Sequence, residues 1–165
     1  MSHTRPHIRS IDVYTDGSLR KTTKGNLCGY GIYFPNKELK NVAKPFNMGI
    51  VTNNRAELYA IYKAIRMIVK NYTFDLINIY TDSEYSQKSL TVWITSWKIK
   101  NWKNSKNKPV ENQDIIKKID RYLQKYKGKI NIKWLRAHTN KADIHSINNK
   151  YADALANRGA LMSKI

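Results

Sequence analysis

The strongest constraint on the fold is a short phrase that occurs twice. Val13-Tyr14-Thr15-Asp16-Gly17-Ser18 is echoed by Ile79-Tyr80-Thr81-Asp82-Ser83. Each is a run of β-branched and aromatic residues, the types that suit a pleated, half-buried surface, and each stops at Thr-Asp before a small residue. Ile11, Val13 and Thr15 alternate with Asp12, Tyr14 and Asp16, the period of a strand. Both aspartates are expected at strand ends, where an α/β sheet ordinarily gathers its ligand site.

Between the two phrases, Thr52-Asn53-Asn54-Arg55-Ala56-Glu57-Leu58 opens a helical pattern. Leu58, Ile61, Ile65 and Ile68 recur at helical spacing and define a buried face, with Asn53 or Asn54 as the expected cap. Glu57 falls about one residue off that stripe, in the expected first turn. There it serves either a site or merely the helix dipole, which favours an acid at a helix start. A strand, a helix and a second strand with the same ending fit a right-handed crossover. Near the end, Tyr151-Ala152-Asp153-Ala154-Leu155 also has helical character. The reading that follows is that Asp16, Glu57, Asp82 and Asp153 meet at one point and hold divalent metal.

The rest of the chain is consistent with one domain over residues 10–165, preceded by a loose tail at 1–9. Residues 29–34 and, more weakly, 38–45 continue the first strand into an antiparallel meander. Residues 19–27 form a polar loop with Arg20, Lys21 and Lys24, either solvated or brushing a phosphate. A central strand is expected at 74–80, helices at 83–95, 112–126 and 150–159, and a strand at 130–135. Residues 136–149 make a long polar loop carrying His138 and His145. Cys28, the single cysteine, has no partner for an intramolecular disulfide and fits a small buried residue in a reducing, intracellular setting.

Charge narrows the partner. Thirty Lys and Arg against 12 Asp and Glu give +18, an excess that concentrates polyanions around the molecule. No stretch approaches the roughly 18 consecutive apolar residues of a membrane span. In so basic a chain, crowding acids together is unfavourable unless cations lie between them. The segment 93–110 interleaves Trp93, Trp97 and Trp102 with Lys98, Lys100, Lys103, Lys106 and Lys108. Aromatic platforms and cations together are what a sequence-tolerant grip on a nucleic-acid strand needs. Here Trp93 is expected to pack, Trp97 to lie nearer the surface, and the lysines to meet phosphate.

Oxygen ligands suit hard cations such as Mg2+, and two such ions about 3.5–4 Å apart can clamp the attacking water and the leaving oxygen of a phosphodiester. Two histidines and one distant cysteine make a poor zinc set. A histidine in a loop beside such ions, as His138 would be, can shuttle a proton because it titrates near neutrality. His145 carries no comparable suggestion.

Tyr14-Thr15-Asp16-Gly17, Thr52-Asn53-Asn54-Arg55-Ala56-Glu57, Tyr80-Thr81-Asp82-Ser83, the segment 93–110, His138 and Ala152-Asp153 occur together in an order that resembles type 1 ribonuclease H, over about residues 10–162. The likeness is to forms with a basic protrusion. It implies an α/β fold, a five-stranded mixed sheet of three antiparallel then two parallel strands, flanked by helices. It also implies hydrolysis of the RNA strand of RNA–DNA hybrids with two Mg2+ ions, Mn2+ substituting, to leave 5′-phosphate and 3′-hydroxyl ends. By the same resemblance, Asp16, Glu57, Asp82 and Asp153 are metal ligands and His138 is the mobile histidine. Asn53 and Asn54 would read RNA, where 2′-hydroxyls mark it off from DNA. Thr52 and Asn112 would hold a DNA phosphate, and Tyr85, Trp93 and Trp97 would line the DNA channel.

The chain departs from that pattern at three places. Ile50 stands where arginine is common two positions before Thr52, the first loop lacks the usual asparagine, and the loop from His138 to Asp153 is longer and lacks glycines. The separate N-terminal hybrid-binding domain of many relatives is expected to be missing, so the basic segment is expected to grip the hybrid, with the chain acting as a monomer. Two other classes are compatible with parts of this pattern: a DNA-processing nuclease of the same fold, and a non-catalytic hybrid-binding module. The Asn53-Asn54 pair and the Trp-Lys segment weigh against the first. A full set of four carboxylates weighs against the second, since a pure binder gains nothing from negative charge facing phosphate.

Overall fold

A computed structural model describes residues 4–136 and 143–163. Its centre is a five-stranded sheet in the order β3-β2-β1-β4-β5. Strands β1 (His7–Thr22), β2 (Gly25–Tyr33) and β3 (Val42–Pro45) are antiparallel neighbours, while β4 (Thr73–Thr81) lies parallel to β1 and β5 (Ile130–Trp134) parallel to β4. This is the expected mixed sheet, three antiparallel strands and then two parallel.

Alternation along the strands divides the sheet into two faces. Ile11, Val13, Ile77, Ile79 and Ile132 point to one side, in register across β1, β4 and β5. There they meet helix α1 (Asn53–Asn71), whose Leu58, Ile61, Ile65 and Ile68 are fully buried, and the Ile115, Ile116 and Ile119 face of helix α4 (Gln113–Lys125). Each such aliphatic side chain contributes about 1.5–3 kcal/mol by leaving water. The opposite face is closed by helix α5 (Ile144–Leu161) through the small buried residues Ala152, Ala156 and Ala160.

That second closure needs a glycine. Gly31 on β2 pairs with Asp16 on β1, and a Cβ at Gly31 would lie 2.5 Å from Ala156 N and 2.6 Å from Ala152 O. Strand and helix backbones therefore touch directly beside Asp16.

Several boundaries differ from the sequence expectation. The polar stretch 19–27 is not a loop: β1 and β2 run on as a ladder to Thr22↔Gly25, because backbone pairing does not require apolar side chains. The expected tail is strand from His7, where β1 pairs with the start of β4 and Thr73 N–H donates to Pro6 O. Thr52, not Asn53 or Asn54, caps α1, its hydroxyl accepting from Arg55 N–H at 3.1 Å. The expected helix at 83–95 is α2 (Glu84–Lys88), a π-helical turn (Ser89–Trp93) and α3 (Ile94–Ile99). Helix α5 starts at Ile144, capped by Asp143, so His145 belongs to the helix and not to a loop.

Candidate active site

Register alone brings the first two carboxylates together. Thr15 pairs with Thr81 across the parallel β1–β4 ladder, so Asp16 and Asp82 leave the two strands at the same level. Strand β4 ends there, whereas β1 continues against β2, and the gap leaves room for side chains to converge.

The glutamate arrives from the other face. Glu57 opens the second turn of α1, one or two residues deeper than the sequence suggested because Thr52 is the cap, and is only 3% exposed. At that depth the helix dipole does not account for it, since the effect falls off within the first turn. Gly17 admits the helix: a Cβ there would lie 2.7 Å from Glu57 N. With the Cβ missing, Gly17 N–H donates to Glu57 Oε1 and to Asp16 Oδ1, each at 2.9 Å. Oxygens of Asp16, Glu57 and Asp82 all lie within 4.8 Å of one another.

Helix α5 supplies the fourth side of the cluster. Asn149, Asp153 and Asn157 recur one turn apart, so they share a stripe facing the strand ends. Asn149 amide donates to Asp82 Oδ2 at 3.5 Å and Asn157 amide to Asp153 Oδ2 at 3.4 Å. Asp153 comes near enough to Asp16 to raise its pKa further, but the three carboxylates whose oxygens lie within 4.8 Å of one another are Asp16, Glu57 and Asp82.

Electrostatics show what such crowding demands. Burial raises the Asp16 carboxyl far above the ordinary range, and the neighbouring Glu57 and Asp82 push it further. Burial also raises Glu57, with the charges of Asp82 and Asp153 adding to it and the hydrogen bonds from Asp16 and Gly17 opposing it. Glu57 Oε2 is buried with no hydrogen-bond partner among the described residues. An orphaned acceptor among carboxylates that resist ionising together fits a divalent cation, and an all-oxygen donor set fits a hard one.

The residues expected to touch nucleic acid fall at the starts of α1 and α4 and on the segment that follows β4. Asn53 and Asn54 are exposed at the start of α1, beside the capping Thr52. Asn112, in the left-handed region at φ 63°, heads α4 and donates to Tyr85 Oη at 2.9 Å. Buried Arg55 ties the two helix starts together: its guanidinium grips Asp114 through both nitrogens at 2.9 and 2.8 Å, reaches Asn112 Oδ1 at 3.4 Å and also holds Met48 O. Ile50 is 77% exposed where an arginine would have offered charge to a phosphate.

The tryptophans exchange their expected roles. Trp93 is exposed and Trp97 half-buried against the core, because the π-helical turn shifts the phase of the residues that follow it. Their rings are 6.0 Å apart, and with Lys100, Lys103, Asn104 and Ser105 they line a groove of about 260 Å³. Lys98 turns away to pair with Asp120 on α4 at 2.7 Å, while Lys106 and Lys108 are exposed on a turn held by Asn104.

His138 lies outside the described residues. His145, given no role from sequence, packs on Tyr80 and shares a 2.6 Å hydrogen bond with Tyr14 Oη. Ser18, whose hydroxyl donates to Asn157 Oδ1 at 2.7 Å, also has no signature in the sequence. The one available signal is the spacing of Asn157, a single turn past Asp153.

Comparison with known proteins places this geometry. The RNase H family model matches residues 9–161. A probable ribonuclease H of Acanthamoeba polyphaga mimivirus is 40% identical over 134 residues, 80% of this chain and 58% of that protein. The ribonuclease H of Paramagnetospirillum magneticum is 33% identical over 161 residues, 96% of this chain and 95% of that protein. The chain thus spans little more than half of the viral protein and nearly all of the bacterial one. The solution structure of the PFV RNase H domain superposes with a TM-score of 0.76 at 29% identity, covering 93% of this chain and 96% of that one. With a family model matched over nearly its whole length and a relative 33% identical over 96% of it, the chain belongs to the RNase H family.

Proposed function

We propose that this chain is an endonuclease that hydrolyses the RNA strand of RNA–DNA hybrids by two-metal-ion catalysis, acting as a monomer on a substrate held by its basic segment. The observation that carries the reading is the meeting of buried Asp16 and Glu57 with half-buried Asp82, with Asp153 of α5 close to Asp16. These four side chains would hold Mg2+, with Mn2+ as a substitute. Bound there, the ions would activate a water and stabilise the leaving oxygen, giving 5′-phosphate and 3′-hydroxyl ends. Glu57 contributes its buried Oε2, which has no partner among the described residues, and Gly17 N–H donates to the other oxygen of that carboxylate. His138 would help to move a proton at the departing product.

Around the ions, Asn53 and Asn54 would address RNA 2′-hydroxyls in the minor groove. Thr52 and Asn112 would grip a DNA phosphate, braced by Arg55 and Tyr85. Trp93, Trp97, Lys100 and Lys103 would carry the DNA strand along their groove, with Lys106 and Lys108 at its end.

A panel of labelled RNA–DNA hybrid, duplex RNA, duplex DNA and each single strand, with Mg2+, Mn2+ or chelator, tests the reading. Cleavage of hybrid RNA alone, dependent on metal, is expected. Equal cutting of duplex DNA would move the protein to the DNA-processing class, and binding without cleavage in either metal would make it a hybrid-binding module.

A further inference from the structure

The position of Asp153 rests on a relay that begins in β1. Ser18 lies two residues past Asp16, on the same face of the strand, and is 8% exposed. Its hydroxyl donates to Asn157 Oδ1 at 2.7 Å. A hydroxyl can serve either end of an amide, so it is the acceptor-only carboxylate of Asp153 that sets the NH2 group toward α5 and leaves the amide oxygen toward β1, where the hydroxyl donates to it. The NH2 group donates to Asp153 Oδ2 at 3.4 Å. Asp153 and Asn157 are a turn apart on α5, so the contact is one that helix geometry favours.

We infer that Ser18 and Asn157 are positioning residues that orient Asp153 for metal, occupying its Oδ2 so that the other carboxylate oxygen turns toward the ions. This inference rests on the metal reading of the carboxylate cluster. The chemistry of the amide suits the task. An arginine or lysine in its place would bring a positive charge to a carboxylate that must attract cations. An amide donates a hydrogen bond with no net charge, leaving the attraction intact. In a chain with 30 Lys and Arg, a neutral donor at this position is a specific choice. Hydrogen bonds that orient metal ligands from behind are worth about 10–100-fold in metal affinity or activity.

The test compares wild-type protein with Asn157→Leu, close in shape but without the amide, with Ser18→Ala, and with Ser18→Thr, which keeps the hydroxyl. Magnesium is titrated into each without substrate, following the metal-linked rise in melting temperature, and half-saturating magnesium is then measured in hybrid cleavage. Asn157→Leu is expected to need about tenfold more magnesium by both readouts. Ser18→Ala should move in the same direction by a smaller factor, and Ser18→Thr should bind as wild type does. Melting in chelator reports any merely structural role and should change little. Wild-type magnesium affinity in both Asn157→Leu and Ser18→Ala would overturn the relay alone. A wild-type protein whose melting ignores magnesium would overturn the metal reading and the relay with it.

Discussion

Replacing Asp16 with Asn should make the protein more stable when no divalent cation is present. Asp16 is 3% exposed, and burial and its acidic neighbours keep its carboxyl protonated well above the usual range. An unfolded aspartate ionises near pH 3.9. With the folded pKa raised, the contribution to stability is fully present below about pH 4 and is lost progressively as pH rises toward the folded value. Each pH unit in that window costs the folded state about 1.4 kcal/mol, so the cost at pH 7 reaches about 4 kcal/mol at most. Water entering the mouth of the site and relaxation of Asp82 reduce it, and a gain of about 2 kcal/mol on removing the ionisable group is the working figure. For a chain of this size that is a rise of roughly 4–8 °C in melting temperature. Calorimetry in chelator at pH 4, 5.5 and 7 should show the Asp16→Asn gain growing with pH and vanishing near pH 4. Added magnesium should raise the wild type more than the variant, narrowing the gap. A variant that melts at or below wild type at pH 7, or whose advantage is the same at pH 4, would refute the electrostatic account of the cluster.

Two further outcomes are expected. Changing Lys103, Lys106 and Lys108 together to Ala should weaken hybrid binding and lower the log–log salt slope by about one unit for each phosphate no longer neutralised, measured by fluorescence anisotropy across a salt series; an unchanged slope would leave those lysines as solvated surface. At the alkaline end, burial pushes the Tyr14 and Tyr30 hydroxyls up to about 12, so their contribution is intact below about pH 10 and lost as pH climbs through 12. Melting curves between pH 9 and 12 should therefore fall less steeply in Tyr30→Phe than in wild type, and parallel curves would count against the shift.

What can be read from the sequence is whatever leaves a period in the side chains. The two Thr-Asp strand ends and the Leu58, Ile61, Ile65, Ile68 stripe are legible because burial imposes a rhythm of two or of 3.6 on residue type. The tip of the hairpin beyond Asp16 leaves none, since Arg20, Lys21 and Lys24 are exposed and backbone pairing carries the ladder past them. Thr52 and the two asparagines after it are all good caps, and only the geometry of the first turn selects among them. The exposure of Trp93 runs against its helical spacing because a π-helical turn breaks that period. Four carboxylates can be nominated from their motifs, but the groups that brace them cannot. Ser18 meets Asn157 across 139 residues of chain, and apart from the one-turn spacing of Asn157 from Asp153 nothing in these ordinary polar residues hints at the pairing.

The joint at Gly31 has a consequence for how this molecule can change. Strand and helix meet there main chain to main chain, with no side chain between them to bend or be exchanged. The depth at which Asp153 hangs is thus set by the stiffest material in the protein. The surface proposed for nucleic acid is built of lysines, asparagines and tryptophans from α1, the π-helical turn, α3 and the turns after it, none of them part of that joint. Substrate preference can therefore drift one residue at a time around a centre whose dimensions stay put, and any alteration of the joint itself must be answered at once by the whole of α5.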